Sequence, residues 1–518
     1  MAFLQGLDSH IVVVGCGISG IGAAQKLLQH GFHNVRVLEA TGRSGGRVKT
    51  GHLGSNIVEI GANWIHGPSQ ENPVFRLACQ YGLLDKESMT EENQAIDVAG
   101  HPPFTATWLS SSGRQLEPEL TEPVSMLYMT LLEQSQVFYR QGREPMPSVG
   151  EFIKREIRLA LSDGRGNPVT AVLKRGVVNT LLKAECCVSG THTMDDVALG
   201  AFGMYKTLPG LDCTFPGGYE GLIHQMMQTL PKGMVSYNKP IRCIHWNNSD
   251  GSAHHSGRTF PVLVECEDGD TFPADHVIIT VSLGYLKKHH ETLFRPRLPA
   301  QKAESIQRMG FGTNNKIFVE LEQPFWEPDC EIIFLLWEDE STLADMVTDV
   351  KTLWVKKLFG FTVLRPAERV EGLSLGLVMY GHILCGWIAG RESEHMETLS
   401  EAEVKLTITQ LIQKFTGNPT ITPKRIVRSQ WFHDPYTCGS YTYVARGCSG
   451  HDIDTLAQPL PSEGPQAKSL QVLFAGEATN KSFYSTVHGA LEAGCREAQR
   501  LVTHYTPPAY QGPLGSKL

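Results

Sequence analysis

The chain has 518 residues, 41% hydrophobic and 19% charged, a globular composition suited to two to four domains and far from a disordered or fibrous one. A net charge of −8 argues against a nucleic-acid binder and leans towards a cationic ligand. The 12 cysteines show neither a C-x-x-C pair nor a disulfide framework, and no apolar run approaches 18 residues; both point away from a stapled secreted domain and from a membrane span.

Ile11-Val12-Val13-Val14 reads as a buried parallel strand, and it begins so early that no signal peptide is expected before it. It runs into Gly15-Cys16-Gly17-Ile18-Ser19-Gly20 and the helix-like Ile21 to Leu28; a second strand, Val35 to Leu38, ends at Glu39. That is G-x-G-x-x-G in a strand–turn–helix–strand setting, where the glycines let a pyrophosphate reach the helix N-terminus and the acid accepts hydrogen bonds from a ribose. Arg43-Ser44-Gly45-Gly46-Arg47 follows, and its guanidinium groups are expected to converge on phosphates. In Gly61-Ala62-Asn63-Trp64-Ile65-His66-Gly67, small residues let the backbone lie against a flat ring.

Residues 80–204 read as helix-rich, with helices over Val124 to Tyr139 and Val169 to Glu185. Val235 to Ile244 and Val262 to Cys266 read as strands, with an exposed loop over Asn247 to Gly257. Val277 to Thr280 is a strand whose continuation, Val281 to Gly284, reads as an exit loop. Further strands are expected at Ile317 to Leu321, Ile332 to Trp337, Leu375 to Tyr380 and Leu384 to Ile388, with a helix from Glu401 to Phe415. Leu470 to Ala475 is the last strand; Gly476-Glu477 follows, and Thr486-Val487 opens a final helix whose N-terminus favours negative charge on a bound ring. The fold class is therefore α/β: a Rossmann-like dinucleotide domain (1–80, 205–299 and 426–518) with an inserted α+β substrate domain (81–204 and 300–425).

The motifs Gly15-x-Gly17-x-x-Gly20, Glu39, Arg43-x-Gly45-Gly46-Arg47, Gly61-Ala62-Asn63-Trp64, Phe215-Pro216-Gly217-Gly218, Val281-Ser282-Leu283-Gly284 and Gly476-Glu477 together resemble the flavin-containing amine oxidase family over nearly the whole chain. Ile65-His66-Gly67, Gly312-Thr313-Asn314-Asn315-Lys316 and the terminal Ser516-Lys517-Leu518 are similar to its polyamine-oxidising members. The resemblance implies FAD as cofactor, bound by Gly15, Gly17, Ser19, Gly20, Glu39, Arg43, Arg47, Gly61, Ala62, Asn63, Trp64, Gly476, Glu477, Thr486 and Val487, with the Ile241 backbone on the adenine. It implies that Lys316 stands near the flavin N5 and holds a water, and that His66 and Asn314 touch substrate. Glu185 and Tyr205 would line an acidic, aromatic channel, and Trp431, Tyr436 and Tyr441 would wall the ring. Ser440 stands where monoamine oxidases attach their flavin through a cysteine, with Cys438 two residues away, so non-covalent FAD is expected.

The implied activity is FAD-dependent oxidation of an acetylated polyamine at a secondary amine, giving a shorter polyamine, an acetamido-aldehyde and hydrogen peroxide. Alternatives are another amine oxidase of the same family, such as one acting on spermine or a monoamine, a demethylase of the superfamily, or a non-catalytic FAD-binding protein. Expected partners are a polyamine, O2 and, through Ser516-Lys517-Leu518, the peroxisomal import receptor. No metal, nucleic acid or membrane insertion is expected. The chain is expected to be a monomer of the peroxisomal matrix, with the cytoplasm as the alternative.

Overall fold

The run Ile11–Val14 forms the middle strand of a five-stranded parallel sheet in a computed structural model of the chain. The structure describes residues 6–86, 88–95, 105–145, 147–161, 168–247, 254–255, 258–340, 343, 349–364, 382–461 and 469–506. The sheet order is Val472–Phe474, His276–Ile279, Ile11–Val14, Val35–Leu38, Val235–Ser236. Both faces are covered, which is why the central strand is apolar without alternation. Ile11 and Val13 pack with the helices Ile18–Gln29 and Val487–Tyr505. Val12 and Val14 face a layer containing Ile244, Val262 and Val264 from a four-stranded sheet.

A second, six-stranded sheet runs in the order Arg425–Arg428, Asn314–Leu321, His382–Ala389, Gly360–Leu364, Ile332–Leu336, Ala106–Ser110. The helices Pro118–Arg140, Val149–Leu161 and Pro168–Ser189 cover the face that carries Phe318, and Glu401–Thr416 covers the face that carries Ile317 and Val319. Every residue of Asn314–Leu321 is buried. Alternation therefore turns Asn314 and Lys316 to the Phe318 side, towards the helices and the first sheet.

Several expectations need correction. Val235 to Ile244 is not one strand: Val235–Ser236 joins the parallel sheet and Ile241–His245 the four-stranded one, because Asn238 turns at φ 55° and Pro240 donates no hydrogen bond. Val281 to Gly284 is not an exit loop: Ser282 caps a helix over Leu283–Leu293, its Oγ accepting from Tyr285 N at 3.0 Å. The helix-rich stretch contains the edge strand Ala106–Ser110, and Arg425–Arg428 lies in the six-stranded sheet across the expected domain join. Leu375 to Tyr380, most of Asn247 to Gly257 and the terminal Ser516-Lys517-Leu518 lie outside the described residues, although His254–His255 pairs with Arg258–Thr259.

Candidate active site

One cavity of about 1390 Å³ runs from the first turn of helix Ile18–Gln29 to the second sheet. At its first end the turn is built from backbone. Gly15 sits at φ 103°, and a Cβ on Gly20 would stand 2.0 Å from the Gly15 carbonyl oxygen, so the helix reaches the strand only with glycine there. Gly17 is the helix N-cap and supplies no side-chain cap. A Cβ on Gly17 would meet nothing nearer than the Gly45 carbonyl oxygen at 4.0 Å, and Ser19 Oγ is buried without a partner. An uncapped helix N-terminus, an open glycine face and an orphaned hydroxyl are what a pyrophosphate fills. Glu39, 9% exposed, takes Cys16 N at 2.9 Å on one oxygen and the Thr41 hydroxyl at 2.7 Å on the other, which holds the carboxylate at the end of its strand.

The two arginines are tied into the surrounding loops. Arg43 donates to the carbonyls of Ser44, Gly46 and Val48, bracing its own turn. Arg47 pairs with Glu477 at 2.8 Å and donates to Ser440 O at 2.9 Å. Glu477 also accepts from the Thr442 hydroxyl at 2.9 Å and from Ser485 N at 2.8 Å. Both arginines line the cavity, and these bonds brace the wall from which their guanidinium groups face it. Ile241, Ala62, Asn63, Trp64, Gly476 and Val487 line the cavity. Thr486 caps the last helix, its Oγ1 accepting from Gly489 N at 2.9 Å.

At the second end stands Lys316, 5% exposed. Its Nζ donates to Glu59 O at 2.7 Å and Gly61 O at 2.6 Å, and lies 4.8 Å from the Trp387 ring. Trp387 in turn stacks on Trp64 at 5.4 Å. Burial pulls the Lys316 ammonium down to about 8, against an upward pull from Cys385 and Glu59. Burial likewise raises the Glu59 carboxyl to about 7, although it accepts from Tyr219 N at 2.6 Å. Gly61 is required for this clasp, since a Cβ there would stand 1.9 Å from Arg47 O.

His66 points into the same end, and sequence reasoning missed its partner. Nδ1 lies 2.6 Å from Asp212 Oδ2, and Asp212 Oδ1 accepts from Gly67 N at 3.0 Å. The Asp212 side chain is 1% exposed and the His66 ring 42%, so a buried carboxylate orients a ring that opens to the cavity. Assigned from that partner, Nδ1 carries the proton and Nε2 accepts. Asp212→Asn is expected to lower kcat about tenfold by turning the favoured tautomer round, with FAD content unchanged; wild-type kcat in that variant would remove the assignment. Asn314 is 6% exposed, lines the cavity, and its Oδ1 has no partner.

Glu185 lines the cavity from helix Pro168–Ser189, and burial raises its carboxyl to about 7 against a hydrogen bond from Ser189 Oγ at 3.1 Å. Tyr205 packs edge-on to Tyr484 at 5.6 Å, and burial pushes its hydroxyl up. The Tyr441 hydroxyl donates to Cys187 O. These three gather round the second end. Tyr436 does not join them: its ring lies 6.5 Å from Tyr285, its carbonyl takes the Ser282 hydroxyl at 3.4 Å, and Glu39 is among the charges that act on it. It lines the cavity nearer Tyr285 and Ser282. Among the described residues no cluster of His, Cys, Asp and Glu could hold a metal ion, and no helix is long and apolar enough to cross a membrane.

A family model for flavin containing amine oxidoreductases matches residues 18–502, spanning both ends of this cavity. The chain is a flavin-containing amine oxidase. FAD is the cofactor of this oxidase, and the orphaned Ser19 hydroxyl, the uncapped helix and the Glu39 carboxylate fit it. The chain is 51% identical over 506 residues to the peroxisomal N(1)-acetyl-spermine/spermidine oxidase of Bos taurus, covering 97% of this chain and 96% of that protein. It is 50% identical to the Homo sapiens protein of the same name, with the same coverage. A redesigned putrescine oxidase has the same fold, with a TM-score of 0.67 over 96% of this chain and 99% of the other at 18% identity.

Proposed function

We propose that this oxidase oxidises N-acetylated polyamines at a secondary amine, and the joining of His66, Asn314 and Glu185 to the dinucleotide cradle in one cavity carries that reading. The names of the two relatives at 50 and 51% identity support the substrate class. The chemistry that FAD would supply here is acceptance of a hydride from the carbon beside the amine nitrogen and its reoxidation by O2, which with that hydride and the proton released from the nitrogen becomes hydrogen peroxide. Water then adds to the resulting imine, splitting it into a shorter amine and an acetamido-aldehyde.

The chain's own groups do the rest. The Asn314 amide oxygen accepts from an N–H of the substrate. His66 Nε2, held in its tautomer by Asp212, accepts a proton from the reacting nitrogen, so that the amine is neutral when its C–H bond breaks. Lys316 Nζ, clasped by two carbonyls, holds the water that hydrolyses the imine. Glu185 faces a remote ammonium group of the chain-like substrate. The aromatic rings of Tyr205 and Tyr441 hold its methylene segments. Ser440 is buried, its Oγ bonded to the Asn314 backbone at 2.8 and 2.9 Å, and Cys438 is not among the cavity-lining residues; both support dissociable FAD. We place the oxidase in the peroxisomal matrix, carried there by the import receptor through Ser516-Lys517-Leu518, as the names of its relatives support.

Anaerobic mixing of the yellow protein with acetylspermine, spermine and benzylamine tests the substrate. Bleaching is expected to be fastest with acetylspermine; faster bleaching by spermine or benzylamine overturns the substrate, and none with any of them overturns the activity. Glu185 adds a pH signature. Its carboxyl is neutral below about 7 and charged above it, so KM for a cationic substrate is expected to rise as pH falls through 7. In Glu185→Gln the rise should flatten; a rise of unchanged size would place the titration elsewhere.

A further inference from the structure

A buried polar network stands behind Lys316, on the side of the sheet away from the cavity. Its centre is Glu397, near the end of helix Arg391–Thr398, with a side chain 0% exposed. Four donors converge on this one carboxylate: Asn315 Nδ2 at 2.6 Å, Phe432 N at 2.9 Å, His433 N at 2.9 Å and His433 Nδ1 at 2.8 Å. Asn315 is 0% exposed, and its Oδ1 accepts from the Ser429 hydroxyl at 2.8 Å and from Trp431 N at 3.3 Å. Ser429 Oγ accepts from Lys316 N at 2.8 Å, and Ser429 N donates to Lys316 O at 3.0 Å. On the other branch, Trp431 Nε1 donates to Ile60 O at 3.2 Å. Ile60 lies between Glu59 and Gly61, whose carbonyls hold Lys316 Nζ.

The chain of bonds therefore grips Lys316 twice, at its backbone through Ser429 and at its ammonium group through the carbonyls that Trp431 steadies. Neither Glu397, Asn315 nor Ser429 lines the cavity. We propose that Glu397 is a positioning residue that sets Lys316 through Asn315, Ser429 and Trp431. The proposal rests on Lys316 acting at the reaction centre. The two oxygens of a carboxylate offer lone pairs to all four donors, whereas glutamine in its place turns an NH2 group against two of them.

The test uses the FAD-loaded, full-length enzyme. Two measurements are made. The first is labelling of Lys316 by a trace of acetic anhydride, read by mass spectrometry in wild type, Glu397→Gln and Ser429→Ala. The second is kcat and KM for acetylspermine, in these and in Lys316→Met and the Glu397→Gln/Lys316→Met double variant. Glu397→Gln and Ser429→Ala are expected to raise Lys316 labelling about fivefold and lower kcat about tenfold, with KM within about twofold of wild type. In the Lys316→Met background the added loss in kcat from Glu397→Gln should shrink to less than about twofold, because the two act on one step. Glu397→Asp, which keeps the charge, should restore part of kcat. Unchanged labelling overturns the proposal, and so does full multiplication of the two kcat losses. Wild-type kcat in Lys316→Met would instead remove the reading of Lys316, while labelling still reports whether the network holds it. If Glu397→Gln fails to load FAD, Ser429→Ala decides by the same criteria.

Discussion

Gly20→Ala is expected to yield a colourless protein. The added Cβ would stand 2.0 Å from the Gly15 carbonyl oxygen and 3.1 Å from its carbon, and this closest neighbour is backbone that cannot swing aside. Either the helix Ile18–Gln29 moves off the strand or the turn opens, and both displace the N–H groups at the helix N-terminus, which is where the fold is built to take a pyrophosphate. Overpacking of this kind costs on the order of 1–3 kcal/mol in stability even where the chain still folds. The loss of cofactor adds to it, since FAD at 100 times its Kd contributes about 2.7 kcal/mol to the folded state. FAD content, read from the visible spectrum of the purified protein, should fall at least about 100-fold, and a lower Tm should accompany it. A yellow Gly20→Ala protein with wild-type FAD content would show that the cofactor does not depend on this close approach.

The second large effect is expected at Lys316. Lys316→Met keeps an unbranched apolar side chain but removes the ammonium group held by Glu59 O and Gly61 O beside the Trp387 ring. Those two carbonyls belong to the turn before Ala62, not to the pyrophosphate end, so FAD should remain bound. Turnover should fall about 100-fold, equal to roughly 2.7 kcal/mol of barrier. A pH signature separates this from a general loss of packing. Burial sets the Lys316 ammonium at about 8, so below that pH the nitrogen carries its proton and above it a lone pair is available. A step in kcat that rises through pH 8 should be present in the wild type and missing from Lys316→Met. A variant with wild-type kcat, or one that keeps the step, would take Lys316 out of the reaction.

The strand–turn–helix at the first end of the cavity was legible because its pattern is local. The strand, the three glycines, the helix and Glu39 fall within 29 residues of one another, and each is a residue type that the geometry demands. The alternation of Asn314, Lys316 and Phe318 against Ile317 and Val319 was legible for the same reason, since it needs only the period of a strand. Asp212 was not, because its partner His66 is 146 residues away and an aspartate before Cys213 has no periodic or spacing signal. The protein contacts of Arg43 and Arg47 were not legible either, since a sequence records that a guanidinium group is near a glycine turn but not which carbonyls receive its hydrogen bonds. Glu397 also escaped notice, since an acid in an amphipathic helix usually faces water and only the fold brings four donors to it.

The parallel sheet has a consequence for how the molecule is made. Its middle strand is residues 11–14, yet the neighbour on one side is residues 276–279, and the strand beyond that is residues 472–474. A ribosome at 5–20 residues per second takes on the order of half a minute or more to travel between the first and last of these strands. For more than half of that interval the first βαβ unit lacks its neighbour His276–Ile279, and for all of it the helix Val487–Tyr505 that packs across Ile18–Gln29. Cofactor loading is thus a late event in biosynthesis, and nascent chains carry an unpaired strand edge that needs protection until the last fifty residues arrive.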